Sequence, residues 1–521
     1  MERTLGVVAV AVLFALSRLA YFALGVRFDA TPLDSFLQYP DPVLLRTDLI
    51  RTTYYFHLTP PLYNDFLGLV LKTFGAHYGT ALHTAYLLAG LFLAVSLYLL
   101  MRSLGAGQVP SLVLTGIFIA SPATVLYENW LYPDYLIAAL LPFMAWLLGR
   151  AVKQRSTPGL VAFFVLAALI VLSRSFYHLG WLLLVIALVF LINRQWRSRI
   201  VLAAAVPILV CALFYVKNYA VFGFFSGSSA YGGQLSYGTT FQLTASELQQ
   251  LRDNGTISAL TYDAPTWFAD HQGLFDPRTG VPVLDQQTKS TGAPNWNNRG
   301  YLEVWSQYSK DAVATARARP SVLLRATRMG LLILFVPSDG FNFSSTTVTV
   351  ANQAHLSAVQ GITDVALYGQ PHRIFTAQDP SSFRGGQVGD RLREVGWFIV
   401  FAYLLAIGYG LYLLKASRRP RLRSDLVAMV AFTLFTLAYI LVIDVPLGIP
   451  DNNRYRFMAD PLMMALLAVA LTALARRVRL ALQERQREVR DRAAQPEGHQ
   501  IEPERRADPE PGALTQISDH R

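Results

Sequence analysis

Residues 160–192 read LVAFFVLAALIVLSRSFYHLGWLLLVIALVFLI. Two apolar runs, Leu160–Leu172 and Leu179–Ile192, meet at a short loop, Ser173–Gly180, that carries Arg174 and His178. Basic clusters bound the pair on both sides: Arg150, Lys153 and Arg155 before it, Arg194, Arg197 and Arg199 after it. Apolar runs with Lys and Arg gathered at one end read as membrane helices, and the basic ends mark the cytoplasmic side. The pair is therefore expected to cross out and back, with Arg174 on the outer face.

The same reading extends along the chain in both directions. Towards the N-terminus lie Leu5–Val26, Ala81–Met101, Val109–Tyr127 and Tyr132–Gly149; towards the C-terminus lie Ile200–Val216, Val395–Leu414, Leu426–Ile443 and Pro461–Ala475. The Val395–Leu414 run descends to the strongest basic cluster, Lys415, Arg418, Arg419, Arg421 and Arg423. About ten crossings put every basic loop and both termini on the cytoplasmic side. Leu5–Val26 is read as a span and not as a cleaved leader, since no small-residue cleavage site follows it and Arg18 interrupts it. Pro320–Phe335, with Arg325 and Arg328, would break the parity and is read as interfacial.

Composition agrees. Of the 521 residues 53% are hydrophobic and 15% charged, with a mean hydropathy of +0.34; soluble chains carry roughly 25% charged residues. The fold class expected is an all-α polytopic membrane protein with extracytoplasmic loops and surface helices. The net charge of +11 sits in short loops at span ends, which points to membrane lipids and away from nucleic acid. One cysteine, Cys211, excludes an internal disulfide and a cysteine-based metal site. The division expected is an N-terminal membrane module (1–216), an extracytoplasmic region (217–392), C-terminal membrane helices (393–475) and a cytoplasmic helix with a disordered tail (476–521). The tail, rich in Pro, Glu and Asp, lacks the apolar surface to fold alone.

Two outer segments are candidates for chemistry. The first, Arg27–Thr80, holds Asp29, Asp34, Asp41, Asp48 and Asp65, then His57-Leu-Thr-Pro-Pro-Leu-Tyr-Asn64. Between Pro42 and Phe56 apolar residues recur at helical spacing, as in a helix lying on the membrane surface. The second, Lys217–Leu392, carries turn signals and the cluster Pro294-Asn-Trp-Asn-Asn298. Such aromatics and amides suit a carbohydrate or glycolipid, and a plain lid over the membrane site explains them equally.

The first loop, with an aspartate soon after the first span and then His-x-x-Pro-Pro-Leu-Tyr-Asn, resembles that of the GT-C glycosyltransferases, among them protein O-mannosyltransferases and lipid A aminoarabinose transferases. Tyr127-Glu-Asn-Trp-Leu-Tyr-Pro-Asp134 is similar to the short second outer loop of that superfamily, and Asp451-Asn-Asn-Arg-Tyr-Arg456 with Asp460-Pro461 to the entry of its late span. Lys217-Asn-Tyr219 with Phe222-Gly223, Ser228 and Ser229 is also similar to bacterial members. The resemblance covers Met1 to about Ala230 and Val395–Ala475. It implies inverting transfer of a sugar, on the outer face, from a polyprenyl-phosphate donor to a glycan, glycolipid or protein acceptor.

Such a transfer needs a carboxylate to take the acceptor's proton and cations to hold the leaving phosphate. By position the resemblance implies Asp34 as the base, with Asp41 second; Asp34 is followed by Ser35, and Asp41 by Pro42, where the family has a paired Asp-Glu. Asp41-Pro42 is equally a helix start. His57 either positions the acceptor or a phosphate, or caps the surface helix. Glu128 and Asp134 flank Tyr132-Pro133 in a supporting role or a simple turn. Lys217, Arg174, Arg454 and Arg456, with Tyr455 between the last two, are candidates for the donor phosphate or for plain headgroup contacts.

No Gly-rich phosphate loop, zinc motif or Ser/His/Asp signature is evident, and no metal or cofactor is predicted, although the first loop has enough carboxylates to leave a divalent cation open. A transporter or lipid-linked sugar flippase is the rival class; it would show two related halves and helices broken at the midplane. A non-catalytic scaffold is a third.

Overall fold

The computed structural model describes residues 2–262, 279–338, 347–368, 395–416, 424–449 and 451–494. They divide into two compact units, 1–472 and 473 onward. Among the described residues all regular structure is helical, and the two β-bridges, Asp29 with Trp130 and Thr288 with Pro294, are isolated.

Among the described residues seven helices are long and apolar enough to cross a membrane: Thr4–Ala23, Leu62–Leu104, Pro133–Gln154, Arg194–Phe222, Trp397–Ala416, Ser424–Leu447 and Asn452–Arg490. The chain is an all-α polytopic membrane protein by this measure. The expected Val109–Tyr127 crossing is a bent pair, Gln108–Ala120 and Pro122–Glu128, at 57°. Its break has a local cause: Ser121 leaves helical geometry to cap the second piece, and Pro122 takes that piece's first position. The opening hairpin is present as two shorter apolar helices, Thr157–Ser173 and Leu179–Ile192, with Arg174 and His178 between them.

Helix Pro133–Gln154 lies against Tyr78–Leu104, Ser424–Tyr439 and Thr157–Ser173, so the main apolar core forms around it. Close approach is arranged by Gly149, where a Cβ would run into Met429, and by Gly90, where it would meet Glu128, Tyr135 and Phe14. The space over Gly90 is filled by an ion pair: Arg18 donates from Nε and Nη2 to the Glu128 carboxylate at 2.6 and 2.8 Å, and Tyr135 Oη donates to the same carboxylate at 2.5 Å. A charge in an apolar span needs such a partner, which explains Arg18 within the first helix.

The surface helix expected at Pro42–Phe56 is two short helices, Pro42–Thr47 and Leu49–Tyr54, broken at Asp48, whose backbone leaves the helical region (φ −137°, ψ 60°). Helix Ser321–Leu334 falls short of a span; its Arg325 makes a two-pronged pair with Glu247 at 2.9 Å, and Glu247 closes a capping box with Thr244. In the 217–392 region, residues 263–278, 339–346 and 369–394 lie outside the described residues, as do Arg418, Arg419, Arg421 and Arg423 and the tail from 495 on.

Candidate functional site

A cavity of about 510 Å³ collects residues from distant parts of the chain: the loop at 35–38, the Thr59 turn, Tyr132, the Arg174 loop, the helix around Tyr231, Trp296 and Trp305, and the stretches at 443–448 and 451–455. Arg174 and Arg454 reach it from helix ends, and Asp134, which pairs with both, also stands at one. Arg174 follows the last turn of Thr157–Ser173, Asp134 stands in the first turn of Pro133–Gln154, and Arg454 stands in the first turn of Asn452–Ala494. Because apolar runs set where those helices stop, they also bring these polar ends to one depth.

Asp134 joins the two arginines. Its Oδ1 is 3.0 Å from Arg174 Nε and its Oδ2 is 3.4 Å from Arg454 Nε, with all three side chains buried. Arg454 is paired with Asp451 as well. Arg174 Nη1 donates to Gln38 Oε1 at 2.6 Å and to Tyr132 Oη at 3.2 Å, while its Nη2 is buried without a hydrogen-bond partner. Both guanidiniums lie over the rings of Tyr132 (5.0 and 4.8 Å) and Tyr455 (5.6 and 5.2 Å). Trp130 stacks on Tyr132, and Phe176 stacks on Tyr455. The result is two desolvated, oriented cations lining one cavity, which Asp444 and Asp451 also line.

The structure therefore brings together Asp134, Arg174, Arg454 and Tyr455 among the residues singled out from sequence. The other candidates stand apart. Arg456 donates to the carbonyls of Leu334 and Val336 and to Ser338 Oγ, and lies 3.3 Å from Asp460, so it fastens one helix end to another. Glu128 is held by Arg18. Lys217 donates to the Tyr54 carbonyl at 2.9 Å among the rings of Tyr54, Phe214 and Phe222.

Asp41 caps its helix through Val43 N and also accepts from Ser290 N and Oγ at 2.6 and 2.7 Å. Asp34 is exposed one residue before the cavity-lining Ser35; partial burial raises its carboxyl above the usual range, opposed by the nearby Lys289 ammonium. Lys289 itself, buried and donating to the Phe36 carbonyl, is pushed down to about 8.

His57 is a clasp between the first loop, 27–80, and the 217–392 region. Its Nδ1 is 2.6 Å from Ser229 Oγ, its Nε2 is 3.1 Å from the Asn297 carbonyl, and its main-chain N–H donates to Asn297 Oδ1 at 2.7 Å. A carbonyl only accepts, so Nε2 carries the proton and Nδ1 accepts from Ser229. Burial drives its pKa down to about 3 and keeps the ring neutral.

Sequence reasoning passed over Asp444, Gln38 and Tyr132 as site residues. Asp444 ends an apolar run and reads as a span terminus, whereas a five-residue π-helical turn at Ile440–Asp444 places it on the cavity wall. Among the described residues no group of three His, Cys, Asp or Glu side chains is placed to hold a metal ion. Comparison with known proteins finds no counterpart: no family model, no curated protein and no solved structure matches this chain.

Proposed function

We propose that the chain is a multi-pass membrane glycosyltransferase of the GT-C type. It moves a sugar from a polyprenyl-phosphate donor to an extracytoplasmic glycan, glycolipid or protein, with inversion. The observation that carries this reading is the pair Arg174 and Arg454 at the wall of the 510 Å³ cavity, joined through Asp134. A lipid phosphate leaving with its electron pair needs fixed positive charge at a helix end, and two buried, pre-oriented guanidiniums supply it without reorganisation. Trp296 and Tyr231, also on the wall, offer aromatic faces to a sugar.

In this reading the bent pair and the two shorter apolar helices cross along with the seven long ones, both termini are cytoplasmic, and the cavity faces outward. No cofactor enters the reaction as written. The test is to incubate purified, lipid-reconstituted protein with a panel of polyprenyl-phosphate hexoses and pentoses and to follow donor consumption. Release of polyprenyl phosphate from one member is expected. Movement of an intact donor across the bilayer, with no cleavage, would overturn the reading in favour of a flippase.

A further inference from the structure

The last helix, Asn452–Ala494, is 43 residues long, where a bilayer span needs roughly 20. Its far part opens on Arg476, Arg477 and Arg479, and from there to Arg490 every residue is exposed. The apolar residues of this part follow a pattern. Leu471, Leu474, Ala475 and Val478 recur eleven residues later as Leu482, Arg485, Gln486 and Val489. At about 100° per residue these positions form one stripe along the helix. An eleven-residue repeat is ~3.67 residues per turn, the period at which two helices stay in contact along their length.

Leu474, Val478, Leu482 and Val489 are each more than half exposed. Leu482 and Val489 lie beyond the three arginines and among Glu484, Arg487, Glu488 and Arg490, so water meets them and lipid does not. A free helix of this length is marginally stable in water, and a continuous aliphatic stripe on it gains by being covered.

We propose that the stripe is the seam of a homodimer, in which residues 474–490 of two copies pair as a parallel two-stranded coil. The charges beside the stripe fit a second copy. Arg479 and Arg490 stand on one edge, and Glu488 stands on the other. Parallel helices bring unlike edges together, so Arg490 meets the Glu488 edge of the neighbouring copy; antiparallel helices would set arginine against arginine. Two copies inserted in one bilayer with the same orientation present this helix in the same direction, and a twofold axis along the membrane normal then pairs like residues across the seam. Gln486 is the polar seam position, which fixes register, and Arg485 lays its stem along the seam with its charge outside. The inference is independent of the glycosyltransferase reading.

The experiment uses the full-length protein in vesicles at a low protein-to-lipid ratio. The wild type, whose one cysteine, Cys211, is buried, serves as the blank. Leu482→Cys and Val489→Cys should each give a disulfide-linked dimer on mild oxidation. Leu480→Cys should not, because Leu480 is as exposed as Leu482 but lies on the opposite side of the helix. Leu482→Glu sets two carboxylates face to face in the seam and should weaken the dimer about tenfold or more, read as mass by light scattering in detergent. Its thermal midpoint should stay near that of the wild type, since Leu482 lies outside the buried core. The rival cover for the stripe is the tail after Ala494, which has six acidic residues to three arginines. A chain ending at Ala494 should keep the Leu482→Cys cross-link. Its loss on that truncation would overturn the direct seam and assign the contact to the tail. Equal cross-linking at 480 and 482 would mean chance collision and would overturn the inference, as would a monomeric wild type with no cross-link at any position.

Discussion

Asp134 Oδ1 stands 3.0 Å from Arg174 Nε, an ion pair between two side chains that are both buried and that sit at the ends of separate apolar helices. The same carboxylate reaches Arg454. Its removal leaves two buried guanidiniums with one carboxylate fewer, and breaking a buried pair from one side costs about 3–5 kcal/mol. Asp134→Ala is therefore expected to lower the thermal midpoint in detergent markedly and to abolish donor binding. An unchanged midpoint would show that the arginines find other partners.

The two arginines at 454 and 456, alike in sequence, should separate in experiment. Arg454 lines the cavity, whereas Arg456 is taken up by two carbonyls, Ser338 and Asp460. Arg454→Lys keeps the charge but loses the planar fork, and donor affinity should drop about tenfold or more with a modest change in stability. Arg456→Ala should do the reverse, losing stability first. Calorimetry paired with donor titration reads both, and equal donor loss in the two variants would contradict the division.

His57 makes the join between the 27–80 and 217–392 segments sensitive to acid. Its folded pKa of about 3 lies below the usual value near 6.5, so the unfolded chain binds the extra proton throughout that interval. The stability from a neutral His57 is fully present above about pH 6.5 and declines as pH falls towards 3. Thermal unfolding measured from pH 7.5 to 4.5 should show the wild-type midpoint falling. In His57→Gln the starting midpoint should be lower and the fall shallower. Parallel curves for the two proteins would remove His57 from the acid response.

Orientation is tested by cysteine labelling. Thr288 and Gln154 are both exposed, and the native Cys211 is buried. Thr288→Cys should react with an impermeant thiol reagent in intact cells, and Gln154→Cys should react only after lysis. The opposite pattern would turn the cavity to the cytoplasmic side.

Much of the fold was legible because hydropathy and helix boundaries are local. The 160–192 stretch announces its two helices and the polar turn, and Asp41-Pro42 announces its cap, which Val43 N confirms at 2.8 Å. The bend at Ser121-Pro122 is local too, although a hydropathy reading runs straight across it. The surface helix at Pro42–Phe56 kept its apolar spacing but broke at Asp48, where one residue's backbone decides what the pattern cannot show.

By itself the sequence determined that the chain is helical and membrane-spanning, and that its polar residues collect at helix ends, since both follow from runs of neighbouring residues meeting lipid. Which polar ends meet was decided by the tertiary structure alone. Arg18 finds Glu128, Arg174 and Arg454 share Asp134, and Arg456 turns away to Leu334 and Ser338. The physical reason is that a buried charge must be matched wherever packing places it. Its partner is set by how helices distant in the chain pack together, and neighbouring sequence carries no record of that.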